Sequence, residues 1–136
     1  MAQSLFDLTT AEKNAQKLLE QLRWSAGVVC PCCKEAHRIT PRTNLAYRCN
    51  RCRKDFNART GSVFQHSHVP IHQWLTTLEL LRTCAEAESS TWLAGRLNVT
   101  QKTAWGMLDR LRSIRPLAWY KTQNDTESIL RVLLSS

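Results

Sequence analysis

Two pairs of cysteines constrain this chain more than any other feature of its sequence. Two residues separate Cys30 from Cys33 and Cys49 from Cys52, and fifteen residues lie between the pairs. A two-residue spacer folds into a tight knuckle with both thiolates on one side, and two knuckles complete a tetrahedral zinc site. Because four thiolates leave no open coordination position, we expect the zinc to hold the fold together and not to activate water.

The other cysteines and two histidines have less constrained roles. Cys32 could compete with Cys33 as a ligand, although the two-residue spacing favours Cys33. Iron in a rubredoxin-like site is the alternative to zinc, and buried free thiols are the alternative to any metal. Cys84 is interpreted as a small residue of a helix core. We expect His66 and His68 to face solvent or phosphate, since no further ligands lie near them in sequence.

Positive charge is concentrated around the cysteines. The 136 residues include 19 Lys and Arg against 11 Asp and Glu, which gives a net charge of +8. Residues 28–60 account for +6 of it, with eight basic side chains against Glu35 and Asp55. This balance favours a polyanionic partner.

Neither a signal peptide nor a membrane span is predicted. The N-terminus lacks a basic start followed by an apolar core, and the longest uncharged stretch, residues 60–78, contains three histidines and a proline. That stretch is too polar to span a bilayer. We therefore expect a cytoplasmic protein without a membrane partner, whose reduced cysteines bind metal and do not form disulfides.

The hydrophobic pattern predicts a small α+β fold that begins with a helix and a ribbon. Residues 1–27 form an N-terminal helix that starts at a capping box of Thr9 and Glu12 and ends near Trp24, which could cover the ribbon core. Residues 28–60 form a zinc ribbon of short antiparallel strands. Its predicted turn residues are Pro41, Thr43 and Asn44.

The second half of the chain is predicted to be helical. Residues 61–116 form a three-helix helix-turn-helix module whose first helix begins at Pro70. Residues 117–136 form a tail with a weak signal for one short helix after a Thr126 cap.

The last two helices of residues 61–116 follow the internal pattern of a DNA-binding helix-turn-helix. Ser89 and Thr100 supply N-caps for helices that end at Leu97 and Ile114, and Asn98 suits the left-handed residue of the turn. Three helices that pack without contacting DNA would give a similar periodicity and are the alternative. The apolar and small positions of the pattern are Leu93, Ala94, Leu97, Val99, Ala104 and Met107.

The recognition helix and the ribbon supply the candidate DNA contacts. Gln101, Lys102 and Thr103 lie in the first turn of the last helix, where base edges and phosphates are reached. Arg110 and Arg112 are expected to contact the DNA backbone. Two further positions predicted to be exposed on this helix are Gly106 and Asp109. The candidate DNA-binding residues of the ribbon are Arg38, Arg48, Arg51, Arg53 and Lys54.

The order of these parts resembles the N-terminal region of bacterial zinc-ribbon insertion-sequence transposases, over roughly residues 9–115. The most specific pieces are Arg23-Trp24 ahead of the CPxC and CxxC pairs, and Lys102-Thr103-Ala104-Trp105 at the start of the last helix. The resemblance implies that the ribbon and the helix-turn-helix recognise the terminal inverted repeats of a mobile element. It also implies a following nuclease domain whose acidic triad binds magnesium.

The chain departs from that family in two respects. Beyond Pro116 its acidic residues are Asp125 and Glu127, which we interpret as a helix cap and a solvated side chain. We therefore expect no nuclease domain and no enzyme activity. Gly106 stands where the family tends to carry a larger, often basic residue, and glycine there costs about 1 kcal/mol relative to alanine.

The sequence thus predicts a sequence-specific protein for double-stranded DNA, located with the nucleoid. It would be a truncated transposase or one kept as a regulator of its element, with a homodimer or an intact transposase as the protein partner. A zinc-stabilised protein-interaction module or transcription regulator is one alternative. The other is the DNA-binding part of an active transposase whose nuclease domain is encoded separately.

Overall fold

The computed structural model describes residues 2–43 and 46–135, with the backbone alone for residues 2–9 and 135. It confirms a small α+β fold, built from a three-stranded antiparallel sheet and six α-helices within the described residues. In chain order the elements are α1 (Ala2–Arg23), β1 (Ile39–Pro41), β2 (Tyr47–Cys49), β3 (Lys54–Phe56), α2 (Ile71–Thr83), α3 (Ser90–Leu97), α4 (Gln101–Ile114), α5 (Leu117–Lys121) and α6 (Thr126–Ser135), with a single 3₁₀ turn (Ala85–Glu88) before α3. None of the helices in the described part of the chain is both long and apolar enough to cross a lipid bilayer.

We call residues 28–60 the ribbon and the helices α1 to α6 the helical body. The sheet of the ribbon has the order β1-β2-β3, with Ile39 opposite Cys49 and Tyr47 opposite Phe56. Pro41, predicted in a turn, instead ends the edge strand β1, where its missing N–H leaves no gap in the ladder. Of the other two predicted turn residues, Thr43 lies in a bend and Asn44 lies outside the described residues.

Helix α1 does not start at the predicted capping box. It begins at Ala2, so Thr9 is inside the helix. Glu12 instead caps the N-terminus of α2, where its carboxylate accepts the backbone N–H groups of Ile71 and His72, each at 2.9 Å. These N–H groups have no partner within α2, because the first turn of a helix leaves its donors free.

The helices share one apolar core. Its fully buried side chains include Leu19 of α1, Trp74 and Leu78 of α2, Leu93 of α3, Leu111 of α4, Tyr120 of α5 and Leu133 of α6. Pro70 directly precedes α2, as predicted. Cys84 is not part of the helix face, because it caps the C-terminus of α2, but it packs partly buried against this core.

The predicted tail helix is confirmed as α6, and it packs its apolar face on the core. Thr126 is not its cap: the Asp125 carboxylate accepts the backbone N–H of Ser128 at 2.8 Å, and Thr126 donates its hydroxyl to Glu79 at 2.7 Å. Glu127 is exposed, as predicted. The short aspartate side chain takes the cap because it lies one residue ahead of the first helical turn.

Helices α3 and α4 begin and end where the capping residues predict. The Ser89 hydroxyl accepts the N–H of Trp92, and the Thr100 hydroxyl accepts the N–H of Thr103 at 3.1 Å. Asn98 adopts the left-handed conformation, with φ 58° and ψ 46°. Buried side chains of the two helices face each other: Leu93, Ala94 and Leu97 from α3, and Ala104, Met107, Leu108 and Leu111 from α4.

Candidate functional site

The four cysteines of the two knuckles converge in the ribbon. The sulfur atoms of Cys30, Cys33, Cys49 and Cys52 all lie within 4.8 Å of one another, and Cys30 and Cys49 are buried. The Cys30–Cys52 and Cys33–Cys49 sulfur separations are 3.7 and 3.5 Å. Bonds of about 2.3 Å from a tetrahedral zinc would place sulfurs about 3.8 Å apart, so the geometry fits one metal ion with four thiolate ligands.

The two knuckles have the same backbone geometry. Lys34 and Arg53, which directly follow the second cysteine of each pair, have φ values of 66° and 61°. Their N–H groups donate to the carbonyls of Cys30 and Cys49, at 2.9 and 2.8 Å. A left-handed residue other than glycine costs of order 1 kcal/mol, so each knuckle accepts this strain to place its two thiols on one side.

Backbone N–H groups also point at the sulfur atoms. Burial raises the pKa of the Cys49 thiol, but N–H donation from Cys52 and Arg51 outweighs it and lowers that pKa to about 7. Burial raises the pKa of Cys52 to about 12, with contributions from the neighbouring thiols. The four thiols therefore do not all ionise together unless a cation neutralises them, which is the chemistry of a metal site.

Cys32 lies outside this group of sulfurs. Its thiol is exposed and accepts a contact from the Lys54 ammonium at 3.4 Å, whereas Cys33 points inward. The group of four sulfurs thus includes Cys33 and not Cys32, as the two-residue spacing from Cys30 predicts. His66 and His68 are both exposed, and neither joins a cluster of possible ligands within the described residues.

An aromatic cluster supports the ribbon beneath the sulfurs. Trp24 meets Tyr47 and Phe56 edge to face at 5.7 Å, and so it covers the ribbon core as predicted. The Tyr47 hydroxyl donates to Glu20 of α1, which raises the pKa of Tyr47 to about 12. Arg23 donates to the Ala58 carbonyl at 2.7 Å. These contacts fix the ribbon on the end of α1.

Most of the basic side chains predicted to bind DNA in the ribbon are free to do so. Arg38, Arg51, Arg53 and Lys54 are exposed. Arg48 is half-buried and pairs with Asp55 at 3.4 Å. An exposed pair of this kind is worth less than about 1 kcal/mol, and a phosphate could replace the carboxylate.

The first turn of α4 presents the predicted polar residues to solvent. Gln101 and Lys102 are exposed, and Gln101 makes a long contact of 3.4 Å with Ser90. Thr103 is half-buried and its hydroxyl accepts a hydrogen bond from Thr100 at 2.9 Å, so it takes part in capping. Arg112, further along α4, is exposed.

Arg110 has a structural role that the sequence did not reveal. Its guanidinium donates to the backbone carbonyls of Val63 and Gln65 at 3.0 and 2.7 Å. It thereby ties α4 to the loop that leaves the ribbon. A guanidinium engaged in this way has fewer donors left for phosphate, and the DNA contact predicted for Arg110 stays a prediction.

Two neighbouring residues of α4 complete its outer surface. Trp105 is 57% exposed, the one large hydrophobic side chain so exposed among those that the structure describes. At Gly106 an added Cβ would meet nothing within 4 Å. The exposure of Trp105 could have been predicted from the sequence. Ala104 was predicted to face the helix core, and the next residue of a helix points about 100° away from that direction.

Comparisons with known proteins concern the ribbon most directly. Residues 10–55 match the transposase zinc-ribbon domain family. The chain is also 33% identical over 103 residues to an uncharacterized protein in transposable element ISH50 of Halobacterium salinarum. That alignment covers 74% of this chain and 34% of the relative, so the chain spans about a third of the relative's length. No solved structure matches the chain.

The matched residues contain all four cysteines, the part of α1 that carries Glu20 and Arg23, and Trp24, which directly follows α1. The helix that supports the ribbon is thus included in the family match. The resemblance to insertion-sequence transposases is confirmed, and at its N-terminal side the chain carries a zinc ribbon of the transposase type.

Proposed function

We propose that this chain is the DNA-recognition region of an insertion-sequence transposase. In this proposal the four cysteines hold zinc, and helices α3 and α4 form a helix-turn-helix that binds a specific duplex sequence. The observation that carries it is the start of α4. There the left-handed turn at Asn98 and the Thr100 cap leave Gln101 and Lys102 in solvent, while Ala104 packs against α3.

Electrostatics supports a nucleic acid as the partner. The N-terminus of α4 carries the positive end of a helix dipole, with Lys102 in its first turn and no acidic residue there. Arg38, Arg51 and Arg53 are exposed and lie within five residues of a cysteine of the cluster in sequence. The ribbon charge of +6 therefore stays positive after a four-thiolate zinc centre of net charge −2 is added. Such surfaces bind the phosphate backbone, and the protein would be located with the nucleoid.

The proposal is tested with zinc-loaded protein and two duplexes, one from the ends of its parent element and one of random sequence. We expect the element ends to bind at least tenfold more tightly at physiological salt, with affinity falling steeply as salt rises. Equal affinity for both duplexes would contradict sequence-specific recognition. If a polyphosphate competitor without any base sequence displaced both duplexes equally well, the binding would be nonspecific attraction to phosphate.

A matched pair of substitutions assigns the binding to α4. Lys102→Ala should weaken duplex binding and reduce the slope of log affinity against log salt by about 1, the loss of one phosphate contact. Lys17→Ala removes the same charge from an exposed position of α1 and should leave both quantities unchanged. If the two variants bind alike, α4 is not the recognition helix.

We further propose that the described residues carry no strand-cutting chemistry. Among the side chains that the structure describes, the four cysteines are the one group of at least three Cys, His, Asp or Glu placed to hold a metal. Asp125 caps α6, which leaves it no role in an acidic triad. Incubation of zinc-loaded protein with magnesium and element-end duplex should give no cleaved or joined strand, and cleavage would contradict this proposal.

A groove between α1, α2 and α6 favours a second function, docking to another protein. The groove measures about 670 Å³ and is lined by Leu18, Leu75 and Leu80. Glu79, Asp125 and Glu127 also line the groove, and their carboxylates make it unsuited to the DNA backbone. A partner that stays bound after nuclease treatment, and is lost from a Leu75→Glu variant, would support this function.

A further inference from the structure

We propose that Trp105 recognises a thymine methyl group in the major groove. The inference deepens the proposed function and rests on it. It concerns one contact in the recognition of the duplex, made by a residue that the capping and charge pattern of α4 does not explain.

The exposure of Trp105 has no explanation within the chain. Trp24, Trp74, Trp92 and Trp119 all pack on one of the two apolar clusters. Trp105 is 57% exposed, and its indole makes no ring contact or hydrogen bond with the side chains or backbone of the described residues. Tryptophan is the largest apolar side chain and is usually well buried, so an indole left in water indicates a partner outside the chain.

The neighbours of Trp105 indicate what that partner is. Gln101 and Lys102 lie one turn before it on the same side of α4, and the three side chains surround a shallow hollow. An apolar protein interface is depleted in lysine at its centre. Here the indole instead lies directly beside a cation and an amide, the groups that hydrogen-bond to phosphates and base edges.

Two further residues favour base edges over phosphates at this surface. Asp109 is exposed one turn after Trp105, and its carboxylate would be repelled by phosphate but can accept from the amino group of cytosine. An added Cβ at Gly106, the residue after Trp105, would meet nothing within 4 Å, so a groove floor can approach the α4 backbone there. The thymine methyl is the apolar group that the major groove offers to an indole.

The experiment uses zinc-loaded protein and a duplex selected by it from a random library. Each thymine of the site is replaced in turn by deoxyuridine, which removes the methyl and nothing else. At one or two positions the wild-type chain should lose about fourfold in affinity, the effect of one buried methyl group. Trp105→Ala should bind more weakly and show no further loss at those positions, whereas Gln101→Ala should keep the full fourfold loss.

Three outcomes would overturn the inference. Trp105→Ala could remain sensitive to deoxyuridine, or the wild-type chain could be insensitive everywhere. Alternatively, Trp105→Ala could lose more affinity for single strands than for duplex, which would indicate stacking on unpaired bases. In each case the proposed function would still hold if the chain binds a selected duplex and Lys102→Ala weakens that binding. A failure to select any duplex would contradict the proposed function itself. Circular dichroism of Trp105→Ala checks that the exposed position leaves the fold intact.

Discussion

The ribbon and the helical body are stabilised in different ways. Among the described residues, the ribbon cluster contains three buried side chains, Cys30, Cys49 and Phe56. The larger cluster, formed mainly by the helical body, contains 22, including Trp74 and Tyr120, and it also takes in Ala58 near the end of the ribbon. A core of three side chains cannot offset the conformational entropy of about thirty ordered residues, so the ribbon depends on its metal. We expect the helical body, with its larger apolar core, to remain folded without the metal.

This difference separates the two roles that the chain combines. The helical body positions α4 through packing, and in the proposed function the ribbon positions its arginines through the bonds of its four cysteines to a metal ion. The Arg23 contact with Ala58 connects the two, and the Arg110 contacts with Val63 and Gln65 tie α4 to the loop that follows the ribbon. Loss of the metal should therefore unfold the ribbon and leave the helical body folded.

The largest expected effect comes from removing the metal. A chelator, or Cys49→Ser, should remove the protection of ribbon amides such as Asn50 and Arg53 from hydrogen exchange, because metal binding supplies the ribbon's folding free energy. Most of the helical circular dichroism should persist. Cys84→Ser and Cys32→Ser serve as controls and should each retain one metal ion per chain. If removal of the metal also unfolded the helical body, the ribbon and the helical body would unfold as one cooperative unit.

A substitution in the apolar core should destabilise the helical body and leave the metal site of the ribbon intact. Leu78 is fully buried in its core, and Leu78→Ala should lower the free energy of unfolding by about 2–5 kcal/mol. Denaturant unfolding followed at helical wavelengths measures this loss. Metal content should remain one ion per chain, and a substoichiometric value would show that the ribbon depends on the helical core.

Acid should weaken the contact between α1 and α2 through Glu12. Burial raises the pKa of this carboxyl, but N–H donation from His72 and Ile71 outweighs it and lowers that pKa in the folded state. Its stabilisation is thus present above the unfolded pKa, near 4.3, and is lost as pH falls through the lower folded value. Glu12→Gln should cost about 1–3 kcal/mol at neutral pH and reduce the acid sensitivity of unfolding. Glu86→Gln, an exposed carboxyl, is the control and should change neither.

The smallest effect is expected at Gly106, and its sign differs between stability and binding. An added methyl meets nothing within 4 Å, so Gly106→Ala should stabilise the free protein by about 1 kcal/mol. The same methyl would project where the proposed groove floor approaches the α4 backbone and should weaken duplex binding. Gly95→Ala, also in open space but on α3, is the matched control for stability. Unchanged duplex affinity in Gly106→Ala would mean that the DNA does not approach this position.

Features of the fold that depend on local sequence could be predicted. The knuckles follow from the spacing of Cys30, Cys33, Cys49 and Cys52, and the ends of α3 and α4 follow from the capping residues Ser89, Asn98 and Thr100. Each of these signals involves residues within a few positions of one another, or a repeated spacing.

The features that could not be predicted depend on distant partners. Glu12 was expected to cap its own helix, but it accepts N–H groups 59 and 60 residues away in sequence. The partners of Arg110 are the backbone carbonyls of Val63 and Gln65, which carry no signal in the sequence. Asp125 and Thr126 were both plausible caps for α6, and the choice follows from the contact of Thr126 with Glu79 in α2.

If the metal serves DNA recognition by holding the ribbon beside an independently folded helix-turn-helix, duplex affinity and its salt dependence should both change when zinc is removed. We predict that zinc-free protein stays helical but binds the element ends at least tenfold more weakly, with a salt slope lower by about 0.9 for each lost phosphate contact. Equal affinity and equal slope in the two states would contradict the claim.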